Sequence, residues 1–317
     1  MTFTHVSVML NETVDMLNVR PGGIYVDGTL GGGGHSREIL RRLGGTGHLY
    51  GIDRDDDALA AAGERLGGEG NFTALKGNFH DVRALLAAQG VDHIDGMTID
   101  LGVSSYQLDT AERGFSYHAD APLDMRMDQS QSLTAADIVN TYPKEELVRI
   151  LRDNAEEKWA SRIADIILEH RAQAPILTTA DLVRCVDAAI PKKIRMQEEG
   201  HSSRRTFQAL RIEVNDELAP LTAALEDMAH ILKPGGRLSV LTFHSLEDRI
   251  VKQTFRRLAR PCTCPPRIPV CICGKIPQVT LIGSGTKPSA EEIAANPRAR
   301  SAMLRGCERL DTAEWKI

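Results

Sequence analysis

Four consecutive glycines, Gly31 to Gly34, stand in the stretch Asp27-Gly-Thr-Leu-Gly-Gly-Gly-Gly-His-Ser36, after an apolar run that reads as a strand and before a segment that reads as a helix. Glycine takes positive φ at little cost and lets backbone approach a ligand closely, which makes this a candidate ligand loop. The dinucleotide fingerprint G-x-G-x-x-G does not fit: counted from Gly31 its sixth position falls on Ser36, and from Gly32 on Arg37. A pyrophosphate cofactor is therefore disfavoured. Asp53 closes the next strand candidate, about 20 residues beyond the loop, where an acid can hold both hydroxyls of an adenosine ribose. Asp27, at the end of the first strand, suits a ligand with a sulfonium and an ammonium better than one with phosphates. The plain alternative is a tight turn with Asp53 capping a helix. The order strand, loop, helix, strand, acid argues for S-adenosylmethionine instead.

A second constellation is Cys262-x-Cys264 with Cys271-x-Cys273. Four thiolates could hold one zinc ion and stabilise a Pro-rich loop that has little core of its own. One residue separates each pair, where structural zinc knuckles usually have two to four, so free thiols are the competing reading. Cys185 and Cys307 read as buried small hydrophobes. His244-Ser-Leu-Glu247 resembles part of a hydrolase triad, but no G-x-S-x-G elbow accompanies it.

The elements that must position these residues follow from periodicity. Strands are expected at Ile24–Asp27, His48–Asp53, Phe72–Lys76 and Met97–Leu101, with helices at His35–Leu43, Asp55–Leu66 and Val82–Gln89. Such alternation predicts an α/β fold, a doubly wound parallel sheet with crossover helices. From about Ser105 to Arg205 no strand is convincing. Trp159, Ile163, Ile166 and Ile167 share one helical face, and Thr178 with Asp181 makes a capping box, so this stretch predicts a helical insertion. Leu210, Val214, Leu218, Leu221, Leu225 and Met228 recur at helical spacing, interrupted by Pro220. Leu232-Lys-Pro-Gly-Gly-Arg237 reads as a helix stop and turn into a strand at Arg237–Phe243, and Cys262–Pro297 as a long loop or hairpin.

The chain has 317 residues, 42% of them apolar and 26% charged, and six cysteines. These values argue against disorder and against a disulfide framework, and they fit a reducing, cytoplasmic setting. No stretch approaches the roughly 18 apolar residues of a membrane span. The net charge of −5 advertises no global affinity for polyanions. Any nucleic-acid contact must be local, and charge is indeed uneven. From Arg249 to Arg309 twelve basic residues face three acidic ones. A second basic cluster is Lys192, Lys193, Arg195, Arg204 and Arg205.

Several longer blocks carry a resemblance. Asp27 to Ser36, Asp100-Leu-Gly-Val-Ser-Ser-Tyr-Gln-Leu-Asp109, Arg113-Gly-Phe-Ser116, Pro122-Leu-Asp-Met-Arg-Met-Asp128, Arg205-Thr-Phe-Gln-Ala-Leu-Arg-Ile-Glu-Val-Asn215, Phe243-His-Ser-Leu-Glu-Asp248 and Asn296-Pro-Arg-Ala-Arg-Ser301 closely resemble the bacterial 16S rRNA cytosine-N4 methyltransferase family, known as RsmH or MraW. The match runs from about His5 to Arg309. The resemblance implies a class I S-adenosylmethionine-dependent methyltransferase domain, residues 1–108 and 206–317, interrupted by an inserted all-helical substrate-recognition domain, residues 109–205. It implies methyl transfer to the exocyclic N4 of a cytosine, position 1402 in the P-site region of 16S rRNA in the small ribosomal subunit. It also implies cofactor contacts at Gly33, Gly34, His35, Asp53, Phe79, Asp100 and Gln107. Without the resemblance, Phe79 reads as a core aromatic, Gln107 as a loop residue and His35 as a helix start.

The lone pair of a cytosine N4 is delocalised into the ring, so the amine is a poor nucleophile. Catalysis then rests on in-line positioning and on acceptors that favour an electron-rich nitrogen. Asp100, at the carboxyl end of a central strand, is the candidate catalytic residue, accepting either from that amine or from the cofactor's amino-acid part, two roles the sequence leaves open. The base must be splayed from structured RNA, which calls for phosphate contacts along the basic clusters. DNA amino methyltransferases carry an Asp/Asn-Pro-Pro-aromatic block where this chain has Asp100-Leu-Gly-Val, so DNA is disfavoured. A non-catalytic ribosome-assembly factor and a nicotinamide oxidoreductase are the readings from other classes.

Overall fold

Short apolar strands and crossover helices alternate as the periodicity predicts. The structure, a computed structural model, describes residues 7–197, 200–265, 270–312 and 315–316. His5, where the resemblance begins, and the basic Arg267 lie outside the described residues.

In chain order the first half holds α1 (Leu10–Leu17), β1 (Ile24–Asp27), α2 (Gly34–Leu43), β2 (His48–Asp53), α3 (Asp56–Leu66), β3 (Phe72–Lys76), α4 (Val82–Ala87) and β4 (Ile94–Asp100). Helices follow: α5 (Ser105–Asp109), α6 (Ala135–Thr141), α7 (Lys144–Asp153), α8 (Ala160–Arg171), α9 (Thr179–Ala189), α10 (Lys192–Arg195), α11 (Arg204–Asn215) and α12 (Leu221–Ile231). The chain ends with β5 (Leu232–Thr242), α13 (Ser245–Ala259), β6 (Val279–Thr286), α14 (Ala290–Ala295) and β7 (Met303–Arg309). It divides into two units, residues 1–102 with 219–317, and residues 103–218.

In the first unit the sheet order is β3-β2-β1-β4-β5-β7-β6. Strands β1 to β5 pair in parallel, and β7 runs antiparallel to both β5 and β6. This is the doubly wound sheet that the periodicity predicts, with β7 alone reversed. Both faces are covered, which is why the strands are nearly continuous apolar runs. On one face Val26, Met97 and Ile99 pack with Leu225 and Met228 of α12 and Val251 and Phe255 of α13. On the other, Tyr25 and Leu49 pack with Val14 and Leu17 of α1 and Ile39 and Leu43 of α2. The strand order reverses between β1 and β4, so the crevice for a ligand opens at the carboxyl ends of those two strands.

Three local expectations shift. Strand β4 starts at Ile94 and ends at Asp100 rather than spanning 97–101. The expected Lys-Pro-Gly-Gly turn lies inside β5, whose pairing with β4 jumps from Ile94↔Leu232 to Gly96↔Arg237. Gly235, at φ +77°, makes the turn of that bulge. The 262–297 segment contains a paired strand, β6, and the short helix α14 as well as loop.

The second unit is helical, with one isolated bridge between Pro122 and Thr178. Its core gathers Ile138, Leu147, Ile150, Ile163, Ile167, Val186, Phe207 and Leu210. Helix α11 packs on α7 and α6, so Arg204–Asn215 stands with this unit, whose limits are 103 and 218 where the sequence suggested 109 and 205. Asp216, at φ +47°, stops α11, and Pro220 precedes α12.

Candidate active site

Three carboxylates terminate three neighbouring parallel strands: Asp27 on β1, Asp53 on β2 and Asp100 on β4. Asp27 is buried and accepts from the Ser36 hydroxyl at 2.7 Å and the Thr29 N–H at 3.2 Å. Burial nevertheless raises its pKa to about 6, against the pull of those two donors and of the Ser36 N–H. Asp53 accepts from the Gly31 N–H at 2.8 Å and the Asp55 N–H at 2.9 Å, and burial likewise lifts it to about 6. Thus one oxygen of Asp53 holds the glycine loop while the other holds the turn into α3.

Asp100 differs from both. Among the described residues its carboxylate has no hydrogen-bond or ion-pair partner. Burial first, then the charges of Asp27 and Glu247, push its pKa to about 8. Its backbone N–H donates to Thr29 Oγ1 at 2.6 Å. An acid held this way accepts a proton readily and lacks a cation, which is the electrostatic complement of a positively charged ligand.

The loop between β1 and α2 keeps its shape through glycine. Gly31 and Gly33 have φ +47° and +73°. A Cβ on Gly34 would lie 1.9 Å from Ser7 Oγ, so the N-terminal segment can cover the loop only over a bare Cα. Gly28 is equally tight, because a Cβ there would meet Met97 Cε at 2.6 Å and Ile99 Cγ2 at 2.7 Å. Helix α2 starts on Gly33 without a side-chain cap, and in its first turn the Ser36 N–H faces Asp27 while the Gly34 and His35 N–H groups point out of the helix end. His35 is buried with Nε2 3.2 Å from the Val8 carbonyl, and burial lowers its pKa to about 4. It is therefore a neutral ring that donates to the N-terminal segment.

Phe79 opens a 3-10 turn after β3, capped by Asn78, and is buried in the core, its Cβ 3.1 Å from where a Cβ on Gly28 would lie. Gln107 belongs to the other unit. There its N–H donates to Ser104 Oγ at 3.1 Å, and its Oε1 accepts from the Ser104 N–H at 3.0 Å. The structure therefore brings Gly33, Gly34, His35, Asp53, Phe79 and Asp100 to one end of the sheet, while Gln107 closes a capping box in the helical unit.

Sequence reasoning missed Thr29 and Glu247. Glu247 is buried at the start of α13, and its Oε2 accepts from the N–H groups of Phe243 and His244 at 2.8 and 3.2 Å. His244 Nδ1 faces the Glu247 N–H at 3.5 Å, and Nε2 lies 3.0 Å from Glu247 Oε1. The His-Ser-Leu-Glu block is thus a capping box, a spacing legible in the sequence once hydrolysis is set aside.

The basic clusters also divide. Arg305 is bidentate on Asp248 at 2.6 and 2.9 Å, Arg257 pairs with Glu226, and Arg309 is buried on the Gln278 carbonyl at 2.9 Å and its side chain at 2.7 Å. Those arginines hold the fold. Lys252, Arg256, Arg260, Lys275, Lys287 and Arg300 make no side-chain bond among the described residues. Lys252 and Arg256 line a groove of about 170 Å³ with Leu281 and Gly283 of β6. In the helical unit Arg195 pairs with Asp187 at 2.7 Å, leaving Lys192 and Lys193 exposed beside it. No helix among the described residues is long and apolar enough to cross a membrane.

Comparison with known proteins bears on the family of the chain. The profile of the MraW methylase family matches residues 2–310. The ribosomal RNA small subunit methyltransferase H of Symbiobacterium thermophilum is 54% identical over 316 residues, covering 99% of each chain. The protein of that name in Clostridium botulinum strain Kyoto is 52% identical over 311 residues, covering 98% of this chain and all of the relative. A crystal structure of an rRNA methylase from Streptococcus thermophilus aligns over 95% of each chain at 11% identity, with a TM-score of 0.40. A sheet whose reversal point is flanked by Asp27 and Asp100, and a family profile spanning nearly every residue, lead to one assignment: this chain belongs to the MraW methylase family.

Proposed function

We propose that the chain transfers a methyl group from S-adenosylmethionine to the exocyclic N4 of a cytosine, position 1402, of 16S rRNA in the small ribosomal subunit. The single observation that carries the reading is the Asp100 carboxylate at the strand-order reversal, under the charge of Asp27 and with no hydrogen-bond or ion-pair partner among the described residues. Full-length relatives named for small-subunit rRNA methylation support the substrate class.

The residues present fit the cofactor. Three strand-end acids raised above the ordinary carboxylate range suit a ligand bearing an ammonium and a sulfonium. The uncapped start of α2 at Gly33 and Gly34 suits that ligand's carboxylate. Asp53 can take the ribose hydroxyls while Phe79 walls the purine, and Gln107 stays a contact on the family resemblance alone. When bound, S-adenosylmethionine supplies an electrophilic methyl on a cationic sulfur.

The chain's own task is positioning. Asp100 accepts an N–H of the cytosine amine or of the ammonium and so favours a nitrogen with more lone-pair character. Asp27 stays behind it as a fixed negative charge, oriented by Ser36 and Thr29. His35 keeps the N-terminal segment over the loop and excludes water there. Lys252, Arg256, Arg260 and Lys275 supply phosphate contacts that hold the RNA while the base is extruded.

The test is methyl transfer from labelled S-adenosylmethionine to small subunits and to naked 16S rRNA from cells lacking the modification, followed by nucleoside mass spectrometry. N4-methylcytidine is the expected product. A different methylated nucleoside, or binding of cofactor and RNA with no transfer, overturns the reading.

A further inference from the structure

Among the described residues between α13 and β6, Val270 and Ile272 are 69% and 77% exposed, so their apolar side chains are not held by burial. Yet the Sγ atoms of Cys262, Cys264, Cys271 and Cys273 all lie within 4.8 Å of one another. The pairs Cys262–Cys271, Cys264–Cys271 and Cys271–Cys273 are 3.6, 3.7 and 3.4 Å apart. A disulfide would put two sulfurs at about 2.05 Å. Four thiolates at about 2.3 Å from one zinc would sit about 3.8 Å apart, the edge of a tetrahedron. The observed spacing is that of ligands around a common centre.

The surroundings also suit thiolates. The Ile272 N–H donates to Cys264 Sγ at 3.4 Å, and the N–H groups of Thr263 and Lys275 face Cys273 Sγ. The one-residue spacing that weakens the motif in sequence is met by geometry, since both sulfurs of each pair lie within 4.8 Å of both sulfurs of the other. Each arm thereby offers two sulfurs to the same point. The arms are anchored at both ends, for the Gln278 N–H donates to the Leu258 carbonyl at 2.9 Å.

We propose that Cys262, Cys264, Cys271 and Cys273 form a structural zinc site that closes the segment between α13 and β6. All four coordination positions are filled by protein, so the ion is structural rather than catalytic. On binding, four thiols give up four protons to solvent and four sulfur–zinc bonds form, with no change in oxidation state. The site is independent of the methyl-transfer reading and stands or falls separately from it.

The full chain, purified under reducing conditions without a metal-affinity tag, is expected to carry one zinc by elemental analysis. Cobalt(II) exchanged into it should show the thiolate charge-transfer and intense ligand-field bands of a tetrahedral sulfur site. Removing zinc with a chelator should expose four more thiols to Ellman's reagent, and adding zinc back should slow their reaction about tenfold or more. Cys262→Ser/Cys271→Ser should lose the metal and the cobalt spectrum while still binding S-adenosylmethionine. Absence of metal after zinc is added to the reduced wild-type chain, with the four thiols reacting at an unchanged rate, overturns the proposal. So does recovery of two disulfides from protein kept reduced. Because these readouts use the wild-type chain, a poorly folding variant does not protect the idea.

Discussion

The Thr29 hydroxyl accepts the Asp100 N–H at 2.6 Å, tying the turn after β1 to the end of β4 across the point where the strand order reverses. The Thr29 N–H in turn donates to Asp27, so one residue sets the distance between two acids of the candidate site. Thr29→Val keeps the shape and removes the acceptor, leaving a backbone donor at the site without its partner. The expected cost is about 1–3 kcal/mol. Calorimetry should show weaker S-adenosylmethionine binding than the accompanying fall in Tm explains, whereas Thr29→Ser should bind nearly as wild type. A loss in Thr29→Ser with Thr29→Val binding as wild type would mean that the methyl group, not the hydroxyl, does the positioning.

Asp100 gives a pH dependence with a definite sign. Its pKa is about 8 in the folded chain and near the ordinary aspartate value when unfolded. The folded state therefore binds more protons between those values, and this group's contribution to apo-protein stability falls as pH rises from about 4 to about 8. Asp27 and Asp53, raised to about 6, act in the same direction over the lower part of that window. Asp100→Asn should flatten the decline in Tm between about pH 6 and pH 8. Because a cationic ligand favours the carboxylate, wild-type affinity for S-adenosylmethionine should rise with pH through about 8 with proton release, and the Asn variant should lose that rise. A pH-independent affinity in the wild type would remove Asp100 from contact with positive charge.

The glycine loop separates steric from conformational need. A Cβ at position 34 would come within 1.9 Å of Ser7 Oγ, whereas Gly31 has open space but φ +47°. Gly34→Ala should expel the N-terminal segment, seen as faster hydrogen exchange at Val8 and Met9, together with loss of cofactor binding. Gly31→Ala should cost only about 1 kcal/mol, the left-handed penalty of a non-glycine residue. Comparable exchange in the two variants would show that the segment does not rest on Gly34.

Legibility followed the range of the physics. Strands β1, β2 and β3 match their expected limits because buried parallel strands are short apolar runs bounded by turns. Asp27, Asp53 and Asp100 were legible because each ends such a run. Thr29 and Glu247 were not, since their roles depend on residues 71 positions away or on burial that spacing alone does not reveal. Helix α1 was missed although Val14 and Leu17 are buried, because eight residues give little more than two turns of periodicity. Charge was the least legible. Arg305 and Arg309 look like Lys252 and Arg256 in the sequence, and only their partners, Asp248 and Gln278, mark them as parts of the fold.

The helical unit shows the same effect in a polar cluster. The Asn215 side chain accepts from the Met127 N–H at 2.8 Å and donates to the carbonyls of Met125 and Arg211 at 2.7 and 2.9 Å. Arg113 donates to the carbonyls of Arg126 and Met127, both at 3.0 Å. The Pro122–Asp128 block is thus held by buried side chains that stand in for secondary structure, with Met125 at φ +64°. Asn215→Ala should cost about 2–4 kcal/mol, since it orphans groups on two stretches of chain. S-adenosylmethionine binding should survive while methyl transfer to RNA falls. Loss of both together would mean that the two units do not fold independently.

The division among the arginines yields a last prediction about RNA. Each phosphate contact removed should lower the slope of log affinity against log salt by about 0.7 to 0.9. Lys252→Ala and Arg256→Ala lose no side-chain partner among the described residues, so each should weaken RNA binding, shallow that slope and leave Tm unchanged. Arg305→Ala breaks the bidentate pair with Asp248 and the bond to the Ser284 carbonyl at 2.7 Å. It should lower Tm and cap the RNA effect at what misfolding of β6 and β7 causes, with the salt slope of the folded fraction intact. A shallower slope for Arg305→Ala at unchanged stability would instead place that guanidinium on a phosphate and reverse the division drawn from its partners.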